Sequence, residues 1–213
     1  MLLRRLIALY VGLWLYGFSM VVMIRAALGL DPWDVFHQGV ADQVPLSFGS
    51  VVAITGAAVL LAWIPLRQRP GLGTVSNVVV IGVSVDAGLW SLPELSGLPI
   101  RIAAMGAAVV LNAIATVLYI GAGMGPGPRD GLMTGLVRRT GKPVWVIRTG
   151  LEATVLSVGW LLGGGAGVGT VVYAFAVGPL IQLMIPFVDR FLPGFHPPEP
   201  AGSPAPEAEP MAA

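Results

Sequence analysis

The chain has 213 residues and a net charge of +1, with 55% hydrophobic residues, only 11% charged and a mean hydropathy of +0.82. A soluble domain carries roughly a quarter charged residues, so this composition excludes one and predicts a chain that crosses a bilayer several times. With no cysteine, disulfides, thiolate metal sites and cysteine nucleophiles are excluded as well.

The amino terminus places Arg4 and Arg5 before an uncharged run over 6–24. Basic residues ahead of an apolar stretch also make a signal peptide, but the chain resembles itself when shifted by 96 residues. Arg5 falls on Arg101, Leu15 on Leu111, Gly29 on Gly125, Pro32 on Pro128, Asp34 on Asp130 and Gly39 on Gly135. Farther on, Gly71-x-Gly73-Thr74-Val75 falls on Gly167-x-Gly169-Thr170-Val171. The first run thus has a counterpart in mid-chain, where no signal peptide can be, and is read as a membrane helix.

Two repeats, about 5–93 and 101–189, each hold three apolar runs: 6–28, 45–66 and 72–92, then 102–124, 144–162 and 168–188. Each is close to the ~20 residues that cross the hydrocarbon. Between the first two runs of each repeat lies a short helix, opened by Pro32 after Asp31 and by Pro128 after Gly127. Proline at the first helical position with a capping residue before it is a helix-start pattern. Asp34 and Asp130 in the first turn are expected to reach back to free backbone N–H groups. At about a dozen residues these segments are too short to span, and are read as re-entrant or interfacial. His37 is expected to face solvent or headgroups.

Charge placement sets the orientation. With the amino terminus inside, ten basic residues fall on the inner face, Arg129 and Arg148 among them, and only Arg25 and Arg101 outside. That is the positive-inside pattern, and it places both termini in the cytoplasm. Three spans per repeat turn the second repeat upside down. The fold class is therefore an all-α membrane protein with six transmembrane helices as a 3+3 inverted repeat, one polytopic domain over 1–192. The tail, 193–213, is rich in Pro, Ala and Glu, and its composition predicts disorder.

Polar residues stand where lipid-compatible ones are expected. Asp86 in the third run falls opposite Gln182 in the sixth, and Asn77 and Asn112 lie in the third and fourth. Arg148 and Glu152, four apart in the fifth run, share a helical face and can pair. An unpaired charge at that depth is costly, so such groups face a protein interior or a wet cavity. The pair alone is equally consistent with a lock between helices. Gly178-Pro179 is expected to bend or interrupt the sixth span. The two Gly-x-Gly-Thr-Val motifs lack the Lys-Ser/Thr of a nucleotide loop and suit close packing instead.

No span carries a His-Glu-x-x-His cluster or a histidine to serve Ser84, so no enzymatic activity, catalytic residue, metal or cofactor is expected. The segments Gly29-Leu30-Asp31-Pro32-Trp33-Asp34 and Gly127-Pro128-Arg129-Asp130-Gly131-Leu132-Met133, Arg148 with Glu152, and Gly167-x-Gly169-Thr170 through Gly178-Pro179-Leu180-Ile181-Gln182 together resemble the bacterial YczE/YyaS/YitT family of integral membrane proteins. The resemblance covers 6–188 and is closest to the YczE branch. It implies a polytopic protein of the bacterial inner membrane and supplies no mechanism. From the residues, the expected function is a secondary transporter whose solute path includes Arg148, Glu152, Asp86, Gln182 and Asn112, with Glu152 exchanging protons. The alternative is a non-catalytic scaffold or regulatory subunit that holds another protein at the membrane. The expected partners are the bilayer, a small solute and protons, with a homo-oligomer compatible and nucleic acid not expected.

Overall fold

The computed structural model describes residues 2–191, which form eight helices: α1 (Leu2–Ala26), α2 (Pro32–Ala41), α3 (Phe48–Leu66), α4 (Leu72–Ser91), α5 (Leu98–Gly121), α6 (Pro128–Thr140), α7 (Val144–Leu161) and α8 (Val168–Phe191). Six of them, all but α2 and α6, are long and apolar enough to cross a membrane. α3 begins at Phe48, later than the apolar run suggests, because Ser47 caps it by accepting from the Ser50 N–H. The break expected at Gly178-Pro179 is not found, for α8 runs unbroken through both. Proline removes one N–H from the ladder, a loss that apolar spans commonly tolerate. The expected disorder of the tail lies outside the described residues.

α1 packs most extensively on α5, with α4 and α8 flanking the pair. Glycines set that spacing: a Cβ on Gly12 would stand 2.7 Å from the Tyr119 amide, and one on Gly17 2.6 Å from the Ser84 side chain. Leu9, Leu13, Val21 and Val85 fill the contact and are fully buried. The outward faces stay apolar, with Ile54, Val79 and Phe175 exposed. Trp145 and Trp160 project near opposite ends of α7, as belts of interfacial aromatics do.

The same long-range contacts recur with both partners displaced by 96 residues. Arg5 donates to the carbonyls of Ala122 (2.7 Å) and Gly123 (2.8 Å); Arg101 donates to those of Ala26 (2.7 Å) and Ala27. Each arginine satisfies carbonyls that the end of a helix leaves without partners. Gly73 N–H donates to Met124 O, and Gly169 N–H to Leu28 O, both at 2.7 Å. Thr74 accepts from Gly71 N–H and Thr170 from Gly167 N–H, both at 3.1 Å. Each Gly-x-Gly-Thr turn thus rests on the backbone of the opposite half, where a Cβ on Gly71 or Gly167 would meet a carbonyl oxygen at 2.4 or 2.5 Å.

The short helices are seated the same way across the halves. α2 lies against α7, and a Cβ on Gly159 would come within 2.4 Å of the Phe36 backbone. α6 lies against α3, where buried Trp63 covers Gly131 and donates its indole N–H to Pro128 O at 3.0 Å. These seats turn the starts of α2 and α6 inward, toward one another.

Candidate functional site

The start of α2 is held by its own carboxylates. Asp31 Oδ1 accepts from the N–H groups of Trp33 (2.8 Å) and Asp34 (3.1 Å). The capping carboxylate is therefore Asp31, and Asp34 does not take the role expected of it. Asp34 is hydrogen-bonded instead to His37 Nδ1 at 3.1 Å, and both side chains are 1% exposed. His37 is thus buried, contrary to the expectation of a solvent- or headgroup-facing ring, because α2 is packed on both sides. Burial pushes its imidazole down to about 3, so the ring is neutral and its contact with Asp34 is a hydrogen bond rather than an ion pair. Burial likewise raises the Asp34 carboxyl, with Arg129 opposing.

The start of α6 answers it. Gly127 offers no side-chain cap; Asp130 accepts from the Tyr119 hydroxyl at 3.0 Å and is also held by the Gly127 backbone, the reach-back expected of it. Arg129 reaches across the halves: Nη1 is 3.9 Å from Asp31 Oδ1 and Nη2 is 3.7 Å from Asp34 Oδ1. Its guanidinium also lies 4.8 Å from the centre of the Trp33 ring, within cation–π range. Sequence reasoning placed Arg129 on the inner surface, yet it stands in the interior among carboxylates. One signal could have found it: Trp33 and Arg129 are equivalent under the 96-residue shift, and here they touch.

Around these two helix starts is a cavity of about 510 Å³, walled by Tyr16 of α1, Tyr119 of α5, Tyr173 of α8 and residues of α3, α4 and α7. Arg148, Glu152 and Gln182 line it, and Arg148 Nε donates to Glu152 Oε1 at 2.9 Å. With 45% and 33% of their side chains exposed, this pair faces open space between α7 and α8. Asn112 is set apart, buried between Ser19 Oγ (3.0 Å) and the Tyr173 hydroxyl (2.9 Å). Asp86 is absent from the cavity wall. Its carboxylate accepts from Ser47 Oγ (2.6 Å) and Gly49 N–H (2.8 Å), joining the end of α4 to the start of α3.

The two halves differ at this point. α3 and α4 close on each other, so that a Cβ on Gly49 would lie 2.1 Å from Gly82 O. The equivalent helices, α7 and α8, share at most a marginal contact. Gly178, the counterpart of Gly82, has nothing within 4 Å of its Cβ position, and Gln182, the counterpart of Asp86, is exposed.

Six apolar spans enclosing a charged cavity define a multi-pass membrane protein. Residues 3–186 match the model of a family of unknown function, DUF6198, and the chain belongs to that family. It is 34% identical over 179 residues to the uncharacterised membrane protein YczE of Bacillus subtilis, covering 83% of each chain. It is also 35% identical over 169 residues to an uncharacterised protein of Haemophilus influenzae, covering 79% of this chain and 78% of that one. No solved structure matches it.

Proposed function

We propose that this protein is a secondary transporter that carries a small solute across the bacterial inner membrane, with both termini cytoplasmic. The observation that supports it is the cavity, charged at its floor, open between α7 and α8 and sealed between α3 and α4. The contacts repeated at a displacement of 96 residues support a 3+3 inverted repeat, and the touching pair Trp33 and Arg129 supports a pseudo-two-fold axis between them. On this reading α2 and α6 are re-entrant helices whose starts build the site at mid-membrane, as half-helix ends do in other transporters. Alternation then amounts to an exchange of roles: α7 closes on Gln182 while α3 leaves Asp86. No chemistry is done on the solute, and protons are taken up by carboxylates of the cavity.

The cysteine-free chain offers a direct test. Gln182→Cys should react with a membrane-impermeant maleimide in inside-out vesicles and stay unreactive in intact cells. Ser50→Cys, at the sealed start of α3, should react slowly from either side. Reaction of Gln182→Cys from the periplasm alone would reverse the orientation. Inertness from both sides would mean a dry interior and leave the protein a scaffold.

A further inference from the structure

Three carboxylates, Asp31, Asp34 and Asp130, gather where α2 and α6 meet, and Arg129 faces the first two. Arg129 stands too far from either partner for a hydrogen bond, at 3.9 and 3.7 Å. The other guanidinium of the cavity, Arg148, is engaged with Glu152 at 2.9 Å. With the three carboxylates ionised the floor is short of positive charge, and burial keeps them proton-binding until a cation takes the proton's place. An anionic solute would meet carboxylates at both helix starts, including Asp130 at the one that lacks a side-chain cap. A cation would relieve the imbalance. Above the floor stand Tyr16, Tyr119 and Tyr173, whose ring faces carry negative potential. The first two are edge to face, with centroids 5.9 Å apart.

We infer that the solute is an organic cation with an apolar body, its charge held by the carboxylates at the starts of α2 and α6 and its body by the three tyrosines. The inference rests on the transport reading above and names its substrate class. A cavity of about 510 Å³ lies within the size range of drug-sized ligand sites. Arg129 stays in place as the cation enters, because Trp33 holds its other face.

The test uses two ions of one shape and opposite charge, tetraphenylphosphonium and tetraphenylborate, with the full chain in detergent and protein-free micelles as blank. Tetraphenylphosphonium should bind above the blank and tetraphenylborate should not. Asp31→Asn, whose amide oxygen can still cap α2, should weaken binding at least about tenfold, the effect of removing one nearby charge. Asp130→Asn, at the other helix start, should weaken it in the same direction. Preference for the borate, binding of neither ion, or unchanged affinity in both variants overturns the cation class. Cation binding as described, with counterflow in proteoliposomes no faster than in protein-free liposomes for tetraphenylphosphonium or for the poorly permeant tetraethylammonium, sinks the transport reading and leaves the cation site standing.

Discussion

Asp31 carries the clearest consequence at the scale of single residues. Burial, with Asp34 beside it, pushes its carboxyl from 3.8 up to about 7, Arg129 pulling the other way. Between those values the folded chain keeps a proton that the unfolded chain has released, so stability falls as pH rises through the window. Asp34 and Asp130 are raised by burial too and add to the slope, whereas His37, neutral when folded but protonated below about 6.5 when unfolded, opposes it up to that pH; three carboxyls stand against one imidazole. The midpoint of thermal unfolding in detergent should therefore drop from about pH 5 to about pH 7, and less steeply in Asp31→Asn. An identical pH profile in wild type and Asp31→Asn would contradict the buried placement of Asp31. Arg148 and Glu152 give a second measurement. A dry pair would lose several kcal/mol when broken, but both side chains face open space. Their coupling in a double-mutant cycle should be only about 0.3–1 kcal/mol. A coupling above ~3 kcal/mol would return the pair to a dry interior.

Among the elements, α7 separates two kinds of glycine. Gly159 lies against α2, where a Cβ would meet the Phe36 backbone at 2.4 Å, while Gly150 has nothing within 4 Å. Gly159→Ala should destabilise the protein by about 1–3 kcal/mol through overpacking. Gly150→Ala should stabilise it by up to ~1 kcal/mol through helix propensity. Denaturation of both variants checks the pair, and equal effects would refute the seating of α2 on α7. The helices themselves were legible: apolar runs marked the six spans, and Pro32 and Pro128 marked the short helix starts. Their depth was not. Ten or thirteen residues fit a surface helix and a buried one equally, so His37 was read as exposed and Arg129 as a surface charge. What covers His37 comes from the packing of α2 on α7 and α3, and what covers Arg129 is the start of α2, about 96 residues away in sequence.

For the whole molecule, the basic residues fix an expectation about orientation. Reporter fusions after Arg69 and after Lys142 should read cytoplasmic, and one near Glu94 periplasmic. A periplasmic signal at Lys142 would rule out the inverted arrangement. Arg129, now in the interior, no longer counts toward that asymmetry, and the remaining surface arginines still carry it. The cavity-lining residues Arg148, Glu152 and Gln182 were legible as charges and amides in apolar runs. Asp86 and Asn112 shared that signal and lie elsewhere, because polarity within a span does not say which neighbour satisfies it. The carboxylate cluster was hidden, since it assembles only when the two halves meet.

Arg5 grips carbonyls 117 residues farther along, and this makes the order of synthesis matter. A ribosome adding about 5–20 residues per second takes roughly 6–23 s to go from Arg5 to the helix end that Arg5 caps. The end of α1 waits meanwhile for Arg101, and the Leu28 carbonyl waits longer still for Gly169. The nascent first half waits in the membrane with its joints unmade, exposed to the proteases that survey unfinished spans. A gene cut between α4 and α5 should therefore yield two fragments that are each short-lived alone and persist together.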